Sequence, residues 1–303
     1  MHYYKLKIKK YRFVLTLFLI LITLAIFVYY LMHHKSSITT LKNTDSHIVI
    51  SLLMLYVLWF IAICLVVWSS LRLCRKKLSL SENVLLNGYS SLVNFFVPGQ
   101  GGIAIRGLYL NKTKKLSIRK FIYITLIYYM FYAVISAVLL LITNRPWWQT
   151  IAGVVLTTLI SFLVIYLFKK RNKSPTNLIF SFNTISILIL VTLIQAVIQV
   201  SIFYIELHSI NSHIVLSQVI TYTGAANFSL FVSLTPGAIG IREGFLLFTR
   251  HLSHISVGNI VAASILDRAV FFIFLGILFI VTASFHAKYK LVVKDNTVSN
   301  ENY

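Results

Sequence analysis

The sequence predicts an all-α, polytopic membrane protein with about six full membrane spans and two Pro-Gly-broken re-entrant hairpins related as an inverted repeat. The 303-residue chain is 58% hydrophobic and 12% charged, with a mean hydropathy of +0.84. So few polar side chains cannot cover a water-facing surface of this size. The apolar residues form long runs and the basic residues lie between those runs, which is typical of membrane topology.

Six runs are long and apolar enough to cross a hydrocarbon core of about 30 Å. They cover residues 13–32, 48–71, 121–142, 150–168, 183–207 and 259–285. The first run lacks a small-residue cleavage site before His33 and is longer than a signal-peptide core, which predicts a retained span. The chain is therefore expected to be one integral membrane domain, residues 1–303, with a basic segment at 1–12 and a polar tail at 288–303.

Two further apolar regions, residues 83–110 and 215–250, are interrupted in the middle by Pro and Gly. Each is interpreted as a hairpin of two half-helices. Irregular backbone at membrane depth must be buried in protein or line a cavity. The alternative, in which each region crosses the membrane twice and gives eight or more full spans, has the same parity and stays open.

The basic residues indicate the orientation. If the amino terminus is cytoplasmic and each hairpin returns to its own side, 21 of the 28 Lys and Arg fall on the inner side and four on the outer side. The other three are Arg106, Arg242 and Arg268, within apolar regions. Loops rich in Lys and Arg face the cytoplasm, so the protein is predicted to span the cell (plasma) membrane several times with both termini in the cytoplasm. Trp147 and Trp148 are expected at the outer headgroup level.

The two broken regions carry similar motifs, whose members are candidate substrate-binding residues. They are Asn94, Pro98, Gly99, Gly101, Gly102 and Arg106 in the first, and Asn227, Pro236, Gly237, Gly240, Arg242 and Glu243 in the second. Proline interrupts a helix, glycine admits positive φ and close backbone approach, and a new helix start offers N–H groups to an anion. Because the two regions enter from opposite sides, they indicate an inverted repeat around a transporter site near the bilayer midplane.

Arg106 and Arg242 add fixed charge and a planar fork that matches phosphate oxygens. Arg106 has no acidic neighbour in the sequence, so an anion from outside the chain is its expected partner. The alternative is that the breaks are packing kinks and that the arginines extend to an interface. Two similar motifs, each with a costly intramembrane charge, favour the binding interpretation.

A second constellation combines Arg242 and Glu243 with Asp267 and Arg268, whose formal charges cancel. It is interpreted either as a buried ion-pair scaffold or as a site where Glu243 or Asp267 carries a coupling proton. Glu206 is expected to reach the outer interface.

Other kinds of site find little support in the sequence. No GxSxG, Walker or HExxH pattern occurs, so no catalytic residue is predicted. Cys64 and Cys74 form no metal-ligand spacing, and His251 and His254 have no Cys or acid nearby, so neither a metal nor another cofactor is predicted. The net charge of +21 is spread between spans rather than clustered on one face, which argues against nucleic acid. Membrane lipids with an anionic group or a lipid-linked phosphate are the expected partners, and a homo-oligomer is compatible with the sequence.

The stretch from Thr235 to Glu243, followed by Asp267 and Arg268, resembles the lysylphosphatidylglycerol synthase transmembrane-region family of flippase-like proteins. The likeness covers essentially the whole chain. It implies transfer of an anionic or aminoacylated phospholipid, or of a polyprenyl-linked glycan, between leaflets. Bifunctional members add a soluble domain that lysylates phosphatidylglycerol. That domain is expected to be absent here, because only about 18 residues follow the last predicted span.

The chain departs from the family pattern at two places. The first hairpin usually carries an acidic residue between its Gly and Arg, where this chain has Ile-Ala-Ile at 103–105. The next helix often carries a Glu-Arg pair, where this chain has Ile-Tyr-Tyr-Met at 127–130. These departures predict a different headgroup or coupling.

The leading functional hypothesis is a flippase-like translocator whose cavity lies between the two hairpins. One rival is a membrane-embedded transferase acting on a lipid phosphate, with Glu243 or Asp267 as base. The other is an accessory subunit of envelope lipid or glycan synthesis that does not transport.

Overall fold

A computed structural model describes the chain in several stretches, which are residues 44–97, 101–143, 146–171, 178, 180–231, 238 and 240–289. The chain divides into two units, Met1–Asp45 and Ser46–Tyr303, and every helix of the described stretches belongs to the second. These stretches contain helices and no strand. The span predicted at 13–32, the basic segment at 1–12 and most of the tail at 288–303 lie outside the described residues.

The helices of the described residues are labelled α1 to α10 in chain order. They are α1 (Ser46–Arg72), α2 (Leu80–Phe96), α3 (Gly101–Lys114), α4 (Ile118–Leu141), α5 (Trp147–Arg171), α6 (Phe182–Ile210), α7 (Leu216–Phe231), α8 (Ile241–Phe248), α9 (Arg250–Ser253) and α10 (Val257–Tyr289). Five are long and apolar enough to cross a membrane, namely α1, α4, α5, α6 and α10. They match five predicted runs, so the coarse prediction of a multi-pass, all-helical protein is confirmed.

Serine side chains fix where two of the helices begin. Ser79 precedes α2, and its Oγ accepts a hydrogen bond from the Glu82 amide at 3.2 Å while Glu82 Oε2 accepts one from the Ser79 amide at 3.0 Å. Ser117 precedes α4 and accepts a hydrogen bond from the Lys120 amide at 3.3 Å. These bonds satisfy amides that a helix start leaves without partners, so both starts are encoded locally.

Hydroxyl groups within the apolar helices bond to the preceding turn. Ser136 Oγ donates to the Tyr132 carbonyl at 2.7 Å, and Thr192 Oγ1 donates to the Leu188 carbonyl at 2.6 Å. Lipid offers no partner to such groups, and the bond to the carbonyl four residues earlier supplies one. Serine and threonine are therefore tolerated in these spans.

Each interrupted region contains helical structure before and after its break, and a side-chain contact joins the outer ends of these segments. Lys114 Nζ, at the end of α3, donates to Glu82 Oε2, at the start of α2, over 2.9 Å. In the second region, Gln218 Nε2 near the start of α7 donates to the His254 carbonyl just after α9, over 3.0 Å. Because both contacts join the beginning of a region to its end, the chain turns back within each of them.

The buried core lies between α1, α6, α7 and α10. Its fully buried side chains include Leu52, Leu207, Tyr222 and Ile260. Helix α5 has no buried residue and packs against α4. Its outer surface is apolar, and Trp147 and Trp148 at its start are 76% and 57% exposed. An exposed helix with a predominantly apolar surface is what a lipid-facing position requires.

Candidate functional site

A cavity of about 280 Å³ lies between the helices of the two interrupted regions. Helices α1, α4, α6 and α10 complete its walls. Six of the predicted site residues line it, namely Asn94, Arg106, Asn227, Arg242, Asp267 and Arg268. The two motifs, distant in sequence, thus contribute side chains to one space.

The remaining predicted site residues do not line this cavity or are not described. Glu243 contacts the cavity residue Arg268, over 2.5 Å between Oε1 and Nη2. Gly101, Gly102 and Gly240 belong to the segments that position the cavity residues. Four motif positions lie outside the described residues, namely Pro98, Gly99, Pro236 and Gly237.

The described motif glycines serve different purposes. Gly240 has φ +80°, a conformation that favours glycine. Gly102 is helical and lets α3 approach α2, because a Cβ there would collide with the Ser90 carbonyl and lie 2.7 Å from Asn94 Oδ1. Gly101 is also helical and packs against Val97, whose Cγ1 would lie 2.8 Å from an added Cβ. Positive φ is therefore needed at Gly240 but not at the two glycines that open α3.

One amide at the start of each of the helices α3 and α8 already has a side-chain partner, so the predicted free N–H groups are absent at these two positions. The Gly102 amide donates to Asn94 Oδ1 at 2.7 Å, and the Gly240 amide donates to Glu243 Oε2 at 2.8 Å. Polar side chains nearby cap these donors, as they do at most helix starts. Arg106 also lies in the second turn of α3 rather than at its head. These two amides are therefore not available to a ligand, and the arginine side chains are the groups that could bind one.

Two ion pairs tie α8 to α10. Arg242 Nη1 lies 2.5 Å from Asp267 Oδ2, and Arg268 Nη2 lies 2.5 Å from Glu243 Oε1. The four side chains are between 9% and 23% exposed. Removing one partner from such a pair would leave a largely buried charge without compensation. The constellation expected from the sequence therefore exists as two crossed pairs.

Arg106 has no acidic partner among the described residues. The ion pairs found there are the two between α8 and α10 and the Lys114–Glu82 pair at the start of the first region. Arg106 Nε is buried and makes no hydrogen bond. The neighbouring positions 103–105 carry no acid that could reach it. Arg106 therefore places a positive charge at the cavity that no described carboxylate neutralises.

Several cavity groups lack a hydrogen-bond partner, and most of them are donors. The buried unpartnered donors at the cavity are Trp59 Nε1, Arg106 Nε, Arg242 Nη2 and Asn227 Nδ2. Asn227 Oδ1 is the unpartnered acceptor of this set. Buried polar groups in proteins nearly always have hydrogen-bond partners. A ligand rich in acceptor oxygens would supply partners for these four donors.

The family model described as the lysylphosphatidylglycerol synthase TM region matches residues 13–278 of the chain. The protein belongs to this family. No curated protein matches the chain. The match contains both interrupted regions and the two crossed ion pairs, so the cavity is formed by the part of the chain that defines membership.

The stretch 127–130, where the resemblance implies a departure, reaches the cavity through Tyr128 and Tyr129. Tyr128 and Tyr132 of α4 line it, as do Gln195 and Gln199 of α6. Tyr128 OH donates to Gln195 Oε1 and Tyr132 OH donates to Gln199 Oε1, each over 2.9 Å. Residues 127–130 stand out in the sequence, whereas the two glutamines were not predicted from it. The spacing of four residues within each pair places its members on one helix face, which was the available signal.

Glu206 lies inside the protein, which corrects its predicted position at the outer interface. The residue is 1% exposed. The Tyr56 hydroxyl lies 3.5 Å from Glu206 Oε1 and also hydrogen-bonds Asp267 Oδ1. Helix α6 packs against α1 and α10 here, so the face of the helix, and not the distance from its end, determines the burial of Glu206. A third carboxyl group therefore lies next to the crossed ion pairs.

Proposed function

We propose that this protein translocates a phosphate-bearing lipid between the leaflets of the cell membrane of a bacterial-type envelope. The lipid is an anionic or aminoacylated phospholipid or a polyprenyl-linked glycan. The observation that carries the proposal is the position of Arg106 and Arg242, one from each interrupted region, on the walls of one cavity. Membership of a lipid-related membrane family supports the same substrate class.

The chemistry of the cavity suits a phosphate group. Guanidinium groups bind phosphate oxygens through paired, charge-assisted hydrogen bonds, and Arg106 and Arg242 each keep an unpartnered N–H. The volume of about 280 Å³ is at the lower end of ordinary ligand pockets. Such a cavity would take a headgroup and leave the acyl or prenyl chains in the bilayer.

The architecture proposed for transport is an inverted repeat of two re-entrant hairpins, residues 83–110 and 215–250. One hairpin enters from the cytoplasm and the other from outside, so each would gate the cavity from its own side as the halves alternate. Both termini are cytoplasmic in this arrangement. A membrane-impermeant thiol reagent applied to intact cells should label Gln149→Cys and spare Lys115→Cys, and the reverse pattern would refute the orientation.

The arrangement of the carboxylates favours translocation over lipid modification. A transferase would need Glu243 or Asp267 as a free base, but each is held by an arginine at 2.5 Å. An accessory subunit without transport would need no donor-rich cavity. Lipid turnover by the purified protein in detergent, where leaflets are absent, would favour the transferase instead.

The decisive experiment compares two variants that remove one positive charge from α3. Arg106→Gln removes the charge at the cavity, and Lys112→Gln removes an exposed charge on the same helix. In liposomes with fluorescent lipid probes, Arg106→Gln should slow translocation about tenfold or more, the loss expected for a charge-assisted hydrogen bond. Lys112→Gln should match the unmodified protein. Equal rates for all three correctly inserted proteins would overturn the proposal.

A further inference from the structure

We propose that the headgroup bound in this cavity is a neutral, hydroxyl-bearing group attached to phosphate, and not a cationic aminoacyl group. The inference rests on the proposed function and narrows its substrate class. The glycerol headgroup of a phospholipid and the sugar of a polyprenyl phosphate share this chemistry. Three features of the cavity support this inference: its paired carboxylates, its unpaired arginine and one buried amide.

The first feature concerns the carboxylates that a lysyl ammonium group would need. Asp267 lines the cavity, but Arg242 holds it at 2.5 Å and the Tyr56 hydroxyl also donates to it. Glu243 is paired with Arg268, and Glu206 is not part of the lining. Among the described residues, no carboxylate at the cavity is therefore available for a second cation.

The second feature is the positive charge of Arg106. Arg106 has no ion-pair partner in the described part of the chain, and its side chain lines the same cavity. A cationic headgroup would be repelled by this charge, and the repulsion is strong where the surroundings are poorly polar. An anionic phosphate would instead neutralise it. The charge balance of the cavity therefore selects for a headgroup without an added amine.

The third feature is Asn227, which is 1% exposed and has neither its Nδ2 nor its Oδ1 in a hydrogen bond. A hydroxyl group both donates and accepts, so it can satisfy the two ends of this amide. The parts of the cavity wall formed by α4 and α6 carry the phenols of Tyr128 and Tyr132, bonded to Gln195 and Gln199. These neutral groups also match hydroxyls. Asn227 is thus assigned as a residue that determines specificity.

The aromatic rings of the cavity offer a rival explanation. Ammonium groups bind the faces of Tyr and Trp, and Trp59, Tyr128 and Tyr132 all line this space. If this attraction outweighed the charge of Arg106, an aminoacylated lipid would be transported well. The experiment below separates the two outcomes.

The test uses the full chain in liposomes and four fluorescent probes, which are phosphatidylglycerol, lysylphosphatidylglycerol, phosphatidic acid and a polyprenyl phosphate hexose. We expect phosphatidylglycerol or the phosphohexose to cross at least ten times faster than either lysylphosphatidylglycerol or phosphatidic acid. Equal or faster transport of the lysylated lipid would overturn the inference and leave the proposed function intact. Equal transport of phosphatidic acid would overturn the role of the hydroxyl. Transport of none of the probes would overturn both.

Two variants of Asn227 make the test specific. Asn227→Leu keeps the shape but removes both hydrogen-bonding ends, and it should reduce the preference for the hydroxyl-bearing probe over phosphatidic acid at least fivefold. Asn227→Asp places a carboxylate in the cavity and should raise the relative rate of the lysylated lipid. The melting temperature of each variant checks folding. An unchanged preference in both folded variants would refute the assignment of Asn227.

Discussion

Arg242 and Asp267 lie 2.5 Å apart, from Nη1 to Oδ2, and join the returning helix of the second interrupted region to α10. The next residue of each helix, Glu243 and Arg268, forms a second pair with the opposite polarity. Helix α8 has eight residues, and a helix of this length is marginal on its own. The crossed pairs therefore hold α8, and with it Arg242, at the cavity.

Substitution of one carboxyl group should show how much the ion pair between Arg242 and Asp267 stabilises the protein. Asp267→Asn leaves the largely buried Arg242 without its counter-ion, and breaking such a pair costs about 3–5 kcal/mol of stability. Glu206→Gln is the matched control, because Glu206 is also buried but has no ion-pair partner in the described residues. Thermal unfolding in detergent should show a clearly lower melting temperature for Asp267→Asn alone. A similar loss in both variants would mean that the ion pair is not what stabilises α8.

The contact between α7 and α4 depends on a glycine. A Cβ at Gly224 would lie 2.6 Å from the Leu140 Cα, whereas a Cβ at Gly276 on α10 would meet nothing within 4 Å. Gly224→Ala should force the helices apart and destabilise the protein by about 1–3 kcal/mol. Gly276→Ala should be neutral or slightly stabilising, since alanine favours the helix. Equal melting temperatures for the two variants would contradict the close packing of α7 on α4.

The cavity should be accessible to water, and cysteine reactivity can measure this. In a background of Cys64→Ala and Cys74→Ala, Ser91→Cys would place a thiol on the cavity wall. Met54→Cys would place one on the outer face of α1, where Met54 is 67% exposed. The thiolate is the nucleophile that attacks the reagent, and it forms in water and not in lipid. A water-soluble reagent should label Ser91→Cys much faster. Slower or equal labelling of Ser91→Cys would show that the cavity is dry.

The elements predicted best from the sequence are those that depend on local patterns. The run at 48–71 predicted α1 (Ser46–Arg72) within two residues at each end, because burial in lipid requires an unbroken apolar stretch. Helix α2 ends at Phe96 and α3 begins at Gly101, and the sequence between them contains Pro98 and Gly99, which continue a helix only at a cost.

The partners of the charged residues could not be predicted in the same way. Arg106 and Arg242 occupy similar motifs, yet Arg242 is ion-paired and Arg106 is not. The difference arises because α10 brings Asp267 to one motif, while no described carboxylate reaches the other. Such pairing depends on which helices become neighbours, and no local spacing encodes this.

The sequence by itself determined that the chain is helical, that it lies in a membrane, and where its apolar helices and their interruptions fall. Only the tertiary structure decided that Glu206 faces inward and that Gln195 and Gln199 meet Tyr128 and Tyr132 at the cavity. The physical reason is that a membrane helix is apolar toward lipid as well as toward its protein neighbours. Its periodicity therefore carries little information about which face is buried, and the packing of the helices supplies that information.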